Sequence, residues 1–344
     1  MASERFQNAL ARVTQPVPPI WFMRQAGRYH RHYQALREKH SFVELCKEPE
    51  LAAEVAFGPV DDFDFDVAIL FSDLLFPLEA LGLSLEYGDS GPQLDPRLDW
   101  DQLKKLGSLE HAVERLKFQG EAMRRTRERI PSNKSVIGFV GGPWTLFVYA
   151  VEGSHKGNLV DVKTSPSLYR AFADRLVPLL IENIRLQIEG GAEIVMIFDT
   201  AAGEVSPGWF QRMVADDLFR LFEAFPARVG YYARGIQPAH LRDPRFQYDG
   251  LAGIGVDWRW DIREALGSIR NSGFVQGNFD QSLLFLSSDD FERELRSYLK
   301  PLVDVSPETR RGWVCGLGPG VLPQTPEENV RTFVRTVREV FDES

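Results

Sequence analysis

Residues 165–199 read SPSLYRAFADRLVPLLIENIRLQIEGGAEIVMIFD. Ser165-Pro166 is an N-cap and first-turn pair for a helix. From there Leu168, Phe172, Leu176, Leu179, Leu180 and Ile184 recur every three or four residues, the spacing of one helical face. Gly190-Gly191 is a natural stop, and Ile194–Phe198 follows at once as an unbroken apolar run that ends on Asp199. A helix that feeds directly into a strand apolar on both faces is half of a βαβ unit. Such strands belong in a parallel sheet covered on both sides.

The same reading extends in both directions. Short apolar runs occur at Ile20–Met23, Val67–Phe71, Val136–Val140, Val229–Ala233, Ala252–Val256, Phe274–Gly277 and Trp313–Gly316. With Ile194–Phe198 they make eight, spread from end to end. Pro49 opens a helix with Leu51, Ala52, Val55 and Ala56 on one face. Thr325 to Phe341 repeats the device with Pro326 near its start and Val330, Phe333, Val334 and Val337 as its stripe. Eight strands alternating with helices predict an α/β fold of the (β/α)8 TIM-barrel type, with Glu4 to Val13 as an extra N-terminal helix. An open doubly wound sheet is the other architecture of this pattern. No linker, repeat or low-complexity stretch divides the chain, so residues 1–344 read as a single domain.

Composition narrows the function. The net charge of −9 argues against a nucleic-acid or anionic-membrane surface, which needs a dominant basic face. Met1 to Pro19 lacks an apolar stretch behind basic residues, and no apolar run approaches membrane-spanning length. Two cysteines, Cys46 and Cys315, make no disulfide framework and no four-cysteine metal site. These features predict a soluble, cytoplasmic protein.

In a barrel of this kind the chemistry sits where strands end. Arg24-Gln25-Ala26-Gly27-Arg28 follows the first run, Ser72-Asp73 the second and Gly141-Gly142-Pro143-Trp144 the third. Asp199, Thr200 and Glu204 follow the fourth, Asp257 the sixth, and Gly318-Pro319-Gly320 the eighth. Residues 24–40 carry five cations against Glu38, a charge of +4, while the rest of the chain sums to −13. A cationic island in an acidic protein suits a substrate rich in carboxylates or phosphates, which arginine grips with paired hydrogen bonds. Arg31, Arg37 and Lys39 read as a solvated helix face, whereas Arg24 and Arg28 flank a glycine at the strand end and read as ligand-binding. Asp73 is either a cap for the following helix or a carboxylate facing the pocket. Asp73, Asp199, Glu204 and Asp257 would also supply the paired acids of a barrel glycosidase. No His-Glu-x-x-His and no His-x-Cys pair occurs, so a metal site is not expected.

Several motifs together carry a family resemblance. They are Trp21-Phe22-Met23-Arg24-Gln25-Ala26-Gly27-Arg28-Tyr29, Ala68-Ile69-Leu70-Phe71-Ser72-Asp73, and Gly141-Gly142-Pro143-Trp144 leading to Tyr149-Ala150-Val151-Glu152-Gly153. Phe198-Asp199-Thr200-Ala201-Ala202-Gly203-Glu204, Gln276-Gly277-Asn278-Phe279-Asp280 and Leu322-Pro323-Gln324-Thr325-Pro326 complete the set. The chain resembles the uroporphyrinogen decarboxylase family of haem biosynthesis over nearly its whole length.

The resemblance implies a single-domain barrel, commonly a homodimer, that needs no metal and no organic cofactor. Its substrate would be uroporphyrinogen III, a flexible reduced tetrapyrrole with four acetates and four propionates. The four acetates become methyl groups, giving coproporphyrinogen III. Arg24 and Arg28 would meet the carboxylates and Asp73 the inward-pointing pyrrole N–H groups. Tyr149 and Thr200 would hydrogen-bond carboxylates, and Gln25, Ala26 and Gly27 would line the same loop. Protonating the pyrrole carbon beside the acetate-bearing one makes a delocalised cation that serves as the electron sink, so the substrate does what a cofactor would otherwise do. A guanidinium near the ring could supply that proton, although it is a reluctant acid. Two positions depart from the family pattern. Pro319 stands where a histidine is usual, and Thr200 where a serine is usual. Alternatives are a tetrapyrrole carrier with little turnover and a zinc-dependent methyltransferase of the wider superfamily.

Overall fold

A computed structural model describes residues 2–88, 91–155, 157–247, 249–269 and 273–342. Seven of the eight predicted runs form strands of one parallel sheet: β1 (Val67–Ile69), β4 (Ser135–Gly141), β5 (Val195–Phe198), β6 (Val229–Tyr232), β7 (Leu251–Gly255), β8 (Phe274–Phe279) and β9 (Trp313–Leu317). They are hydrogen-bonded in the order β1-β4-β5-β6-β7-β8-β9. The two remaining strands, β2 (Leu85–Gly88) and β3 (Gly91–Leu94), form an antiparallel pair after β1, with Leu85 opposite Leu94.

The run Ile20–Met23 is the exception. It forms no strand but a single parallel bridge from Ile20 to Cys315 of β9. Its backbone is nonetheless tied on both sides. Cys315 N–H donates to the Pro19 carbonyl at 2.9 Å, Trp21 N–H to the Cys315 carbonyl at 3.3 Å, and Asp66 N–H to the Ile20 carbonyl at 2.9 Å. The reason no ladder develops is chemical. Side chains take the N–H groups a neighbouring strand would need: the Asp66 carboxylate accepts from Ile20 N–H at 2.7 Å, and Gln25 Oε1 accepts from Phe22 N–H at 3.2 Å. Arg24 then leaves extended geometry altogether, with φ of +58°.

Strand residues alternate between two cores, as a period of two requires. Val67, Ile69, Ile137, Met196, Phe198, Tyr232, Ala252, Phe274 and Val314 pack with one another and with Trp21 and Met23 on the concave face of the sheet. Phe6 and Ala9 of the N-terminal helix Glu4–Leu10 join them, with the Phe6 and Phe274 rings 6.0 Å apart. That helix ends three residues before the predicted Val13, and Arg12 already sits at φ of +50°. Ala68, Val136, Val195, Ile197, Val229, Tyr231, Ile254 and Val275 face the other way, against the helices.

The helix that opened the reading spans Pro166–Glu189, with Leu168, Phe172, Leu176, Leu179, Leu180 and Ile184 all buried. Ser165 is its N-cap by position but makes no side-chain cap bond. Gly191 provides the expected exit, at φ of +109°. Helices Pro49–Phe63 and Glu327–Asp342 also lie where predicted. Among the described residues, no helix is long and apolar enough to cross a membrane.

Candidate active site

Concave-face residues near the C-terminal strand ends, Met23, Phe139, Phe198 and Tyr232 with half-buried Leu74, make an apolar floor. The polar candidates stand on the loops above it. Asp73 lies four residues past the end of β1. Its Oδ1 accepts from Leu75 N–H at 2.8 Å, a local turn bond. It does not cap the next helix, Phe76–Ala80, whose N-cap is Leu75 without a side-chain bond. One carboxylate oxygen is thus anchored, and the carboxylate faces the Tyr87 hydroxyl. The surroundings disfavour charge: burial pushes the Asp73 carboxyl above its usual range, opposed by Leu75 N–H, the Tyr87 hydroxyl and the charge of Arg24.

Tyr87, on β2, is a site residue that sequence reasoning missed. Its buried hydroxyl has no hydrogen bond of ordinary geometry among the described residues and faces Asp73, whose charge helps burial to raise the phenol pKa. No motif signals it, because a half-exposed hairpin with two glycines carries little apolar alternation.

Arg24 sits between the two halves of the site. It is exposed, makes no ion pair among the described residues, and acts electrostatically on Asp73, Tyr149 and Tyr232. Gly320 lies beneath its stem, where a Cβ would come within 2.7 Å of Arg24 Cδ. Tyr149, on helix Pro143–Glu152, is half-buried, and burial raises its phenol pKa, with Arg24 lowering it and Asp73 raising it. Its hydroxyl is 2.8 Å from Nδ1 of His155, a second residue the sequence did not signal. The fold therefore brings Arg24, Asp73 and Tyr149 into one neighbourhood.

The rest of the first loop is divided. The Gln25 side chain is spent on structure: its amide donates to the Val67 carbonyl at 2.9 Å and its oxygen takes Phe22 N–H. The Gln25 carbonyl accepts from the Tyr29 hydroxyl at 2.7 Å. Ala26 packs with Tyr33, Leu45 and Val55 rather than over the floor. Gly27 turns against the Arg24 carbonyl. Arg28 lies further out, in a shallow depression with Tyr33, Gln34, Arg37 and Glu38. Arg31, Arg37 and Lys39 are exposed, the solvated face that was expected.

Thr200 is half-buried just past β5, next to Asp199. Asp199 is a brace. Its Oδ1 accepts from Thr145 N–H at 3.0 Å and from Thr145 Oγ1 at 2.6 Å, and its Oδ2 from the Tyr231 hydroxyl at 3.2 Å. Burial lifts its pKa from 3.8 to about 6 against those three donors. Asp257 is equally committed, accepting from Gly235 N–H, Arg259 N–H and the Arg259 guanidinium. Glu204 is exposed. The strand-end acids therefore do not form the free pair that glycoside hydrolysis requires.

Cys46 and Cys315 are buried free thiols, each held well above its usual pKa by burial. Among the described residues, no three His, Cys, Asp or Glu side chains are grouped to hold a metal ion. A thiolate-zinc site of the methyltransferase kind has no set of ligands there.

Comparison with known proteins gives a consistent picture. The uroporphyrinogen decarboxylase (URO-D) family profile matches residues 1–340. The uroporphyrinogen decarboxylase of Myxococcus xanthus is 35% identical over 342 residues, covering 97% of this chain and 96% of its own. That of Solibacter usitatus is 34% identical over 349 residues, covering 98% and 97%. Among solved structures, a methyltransferase from Methanosarcina mazei superposes with a TM-score of 0.75 over 98% of both chains at 20% identity. At that identity the likeness concerns the fold.

Proposed function

The chain belongs to the uroporphyrinogen decarboxylase family and decarboxylates uroporphyrinogen in porphyrin biosynthesis; we propose that Asp73, Arg24 and Arg28 carry that reaction. The observation behind this reading is the state of Asp73. It is a carboxylate anchored through one oxygen to Leu75 N–H and recessed over an apolar floor, with Arg24, Tyr87 and Tyr149 as its charged and polar neighbours.

The Asp73 carboxylate accepts pyrrole N–H bonds at the centre of the folded macrocycle. A proton added to the pyrrole carbon beside the acetate-bearing carbon makes the ring a cation. The carboxyl C–C bond then breaks, carbon dioxide leaves, and its electron pair neutralises the ring. The exocyclic carbon takes a proton to become methyl, and the ring proton is released. Ionised Asp73 stabilises the cation because its dipolar surroundings are fixed before the charge appears. Arg24 grips carboxylates beside the reacting ring, and Arg28 meets them at the outer edge of the loop. Tyr149 and Thr200 contribute hydroxyls, while Gln25, Ala26 and Gly27 act through the backbone shape they impose. No metal or organic cofactor enters this scheme.

Further elements of the reading concern the whole molecule. We read the Pro19–Trp21 segment as the eighth stave of a (β/α)8-type barrel, bonded to β9 on one side and to the residue before β1 on the other. One domain over residues 1–344, a homodimer and a cytoplasmic location complete it. An anaerobic assay with freshly reduced uroporphyrinogen III tests the catalytic assignment. The parent should give products with fewer carboxylates, and Asp73→Asn should bind the substrate while losing most of that turnover. Equal turnover in Asp73→Asn would remove Asp73 from the chemistry.

A further inference from the structure

A second group of charges lies at the ends of β6 and β7, and no step above uses it. Arg234 leads into Gly235, whose φ of +77° turns the chain. Past β7 come Asp257, Trp258 and Arg259. The fully buried Asp257 carboxylate accepts from Gly235 N–H at 2.7 Å, from Arg259 N–H at 3.0 Å and from the Arg259 guanidinium at 2.5 Å. One carboxylate therefore pins both arginine-bearing turns. Gly203 packs so tightly on the Arg234 carbonyl that a Cβ there would lie 2.2 Å from it, which fixes the Arg234 turn from the β5 side as well.

Arg234 keeps its whole guanidinium, and Arg259 the N–H groups not spent on Asp257. Arg259 lies 4.3 Å over the exposed Trp258 ring, and its side chain is 40% exposed. Arg234 is exposed and makes no ion pair among the described residues. Beneath them is Tyr232, 1% exposed, with an enclosed hydroxyl that has no hydrogen-bond partner among the described residues. Its charged neighbours are Asp257, Arg234, Arg259 and Arg24. Three guanidiniums against one already saturated carboxylate leave this corner at +2. Gly318 packs against the Asp257 backbone and Gly320 against the Arg24 side chain, so one turn joins this corner to Arg24 and the site around Asp73.

An unpaired Arg234, a half-exposed Arg259 that spends one N–H on Asp257 and keeps the rest of its fork, and an orphaned Tyr232 hydroxyl below them together form a cationic corner suited to an anion. We infer that Arg234 and Arg259 receive a side-chain carboxylate of the tetrapyrrole, with Asp257 as the positioning residue that aims them. The inference rests on the decarboxylase reading, which supplies a polycarboxylate substrate too wide for Arg24 and Arg28 alone.

The test uses the full chain and four forms: parent, Arg234→Gln, Arg259→Gln and Arg259→Lys. KM and kcat are measured with uroporphyrinogen III, and uroporphyrin III is titrated by fluorescence at low salt and at about 0.5 M salt. Each glutamine variant should raise KM and Kd roughly tenfold, with kcat falling far less. Arg259→Lys should restore much of the loss, and salt should bring the parent towards the variants. Arg234→Gln breaks no side-chain bond among the described residues, so it separates binding from folding even if Arg259→Gln loosens the Asp257 turn. Unchanged KM and Kd in Arg234→Gln and Arg259→Gln, with an active parent, would overturn the inference. A parent that neither binds nor converts uroporphyrinogen would overturn the decarboxylase reading itself, and the inference would fall with it.

Discussion

Asp199 titrates like a general acid yet is built like a brace, and Asp199→Asn distinguishes the two. With its pKa lifted from 3.8 to about 6, the folded chain keeps a proton that the unfolded chain gives up. Stability from this group is fully present below its ordinary pKa and is lost as pH rises through about 6. About two pKa units correspond to roughly 3 kcal/mol. The asparagine variant has no such titration. It carries a separate, pH-independent cost of about 1–3 kcal/mol, since an amide cannot accept from Thr145 N–H, Thr145 Oγ1 and the Tyr231 hydroxyl at once. Urea unfolding of both forms from about pH 4 to about pH 7.5 gives the difference directly. It should move by roughly 3 kcal/mol in favour of the variant as pH rises. A difference that stays flat would refute the burial argument. Loss of all turnover in a variant that remains folded would place Asp199 in the chemistry after all.

Other consequences are simpler to state. Asp73→Asn should lower kcat about 10²–10³-fold with a smaller change in KM, because it removes charge stabilisation that grows in the transition state. The acid limb of the pH–rate profile should lie above the ordinary aspartate range. Activity needs ionised Asp73, whose pKa is raised by burial, so the rate falls as pH drops through that raised value. Gln25→Leu leaves the buried Val67 carbonyl and Phe22 N–H unpaired and should cost about 2–4 kcal/mol in thermal or urea unfolding. Pro319→His alters a turn whose neighbours reach both Arg24 and Asp257, so its effect should appear in the distribution of partly decarboxylated products rather than in stability.

The long helix Pro166–Glu189 and the strand after it were legible because a sustained stripe and a double glycine point to the same answer. Ile20–Met23 has the composition of a strand, and nothing local shows that Asp66 and Gln25 will take its N–H groups. The hairpin β2–β3 escaped because its residues are half-exposed and interrupted by glycine and proline. In the site, position alone distinguished Asp73 and Arg24, since both follow apolar runs at strand ends. Asp199 and Asp257 carry the same signal and are spent on structure. Their donors, Thr145, Tyr231 and Gly235, lie 54, 32 and 22 residues away in sequence, where only the fold unites them. Tyr87, His155 and Arg234 were invisible for the converse reason: their importance comes from what surrounds them.

In this scheme the protein replaces carboxylates of uroporphyrinogen by solvent protons using its own side chains. Anaerobic turnover in D2O, followed by mass spectrometry of the oxidised products, tests it in one measurement. Carbon dioxide should be lost from each acetate in turn, with one solvent deuterium gained in every new methyl group. Octacarboxylate recovered unchanged, or carbon dioxide lost without deuterium in the methyl groups, would contradict it.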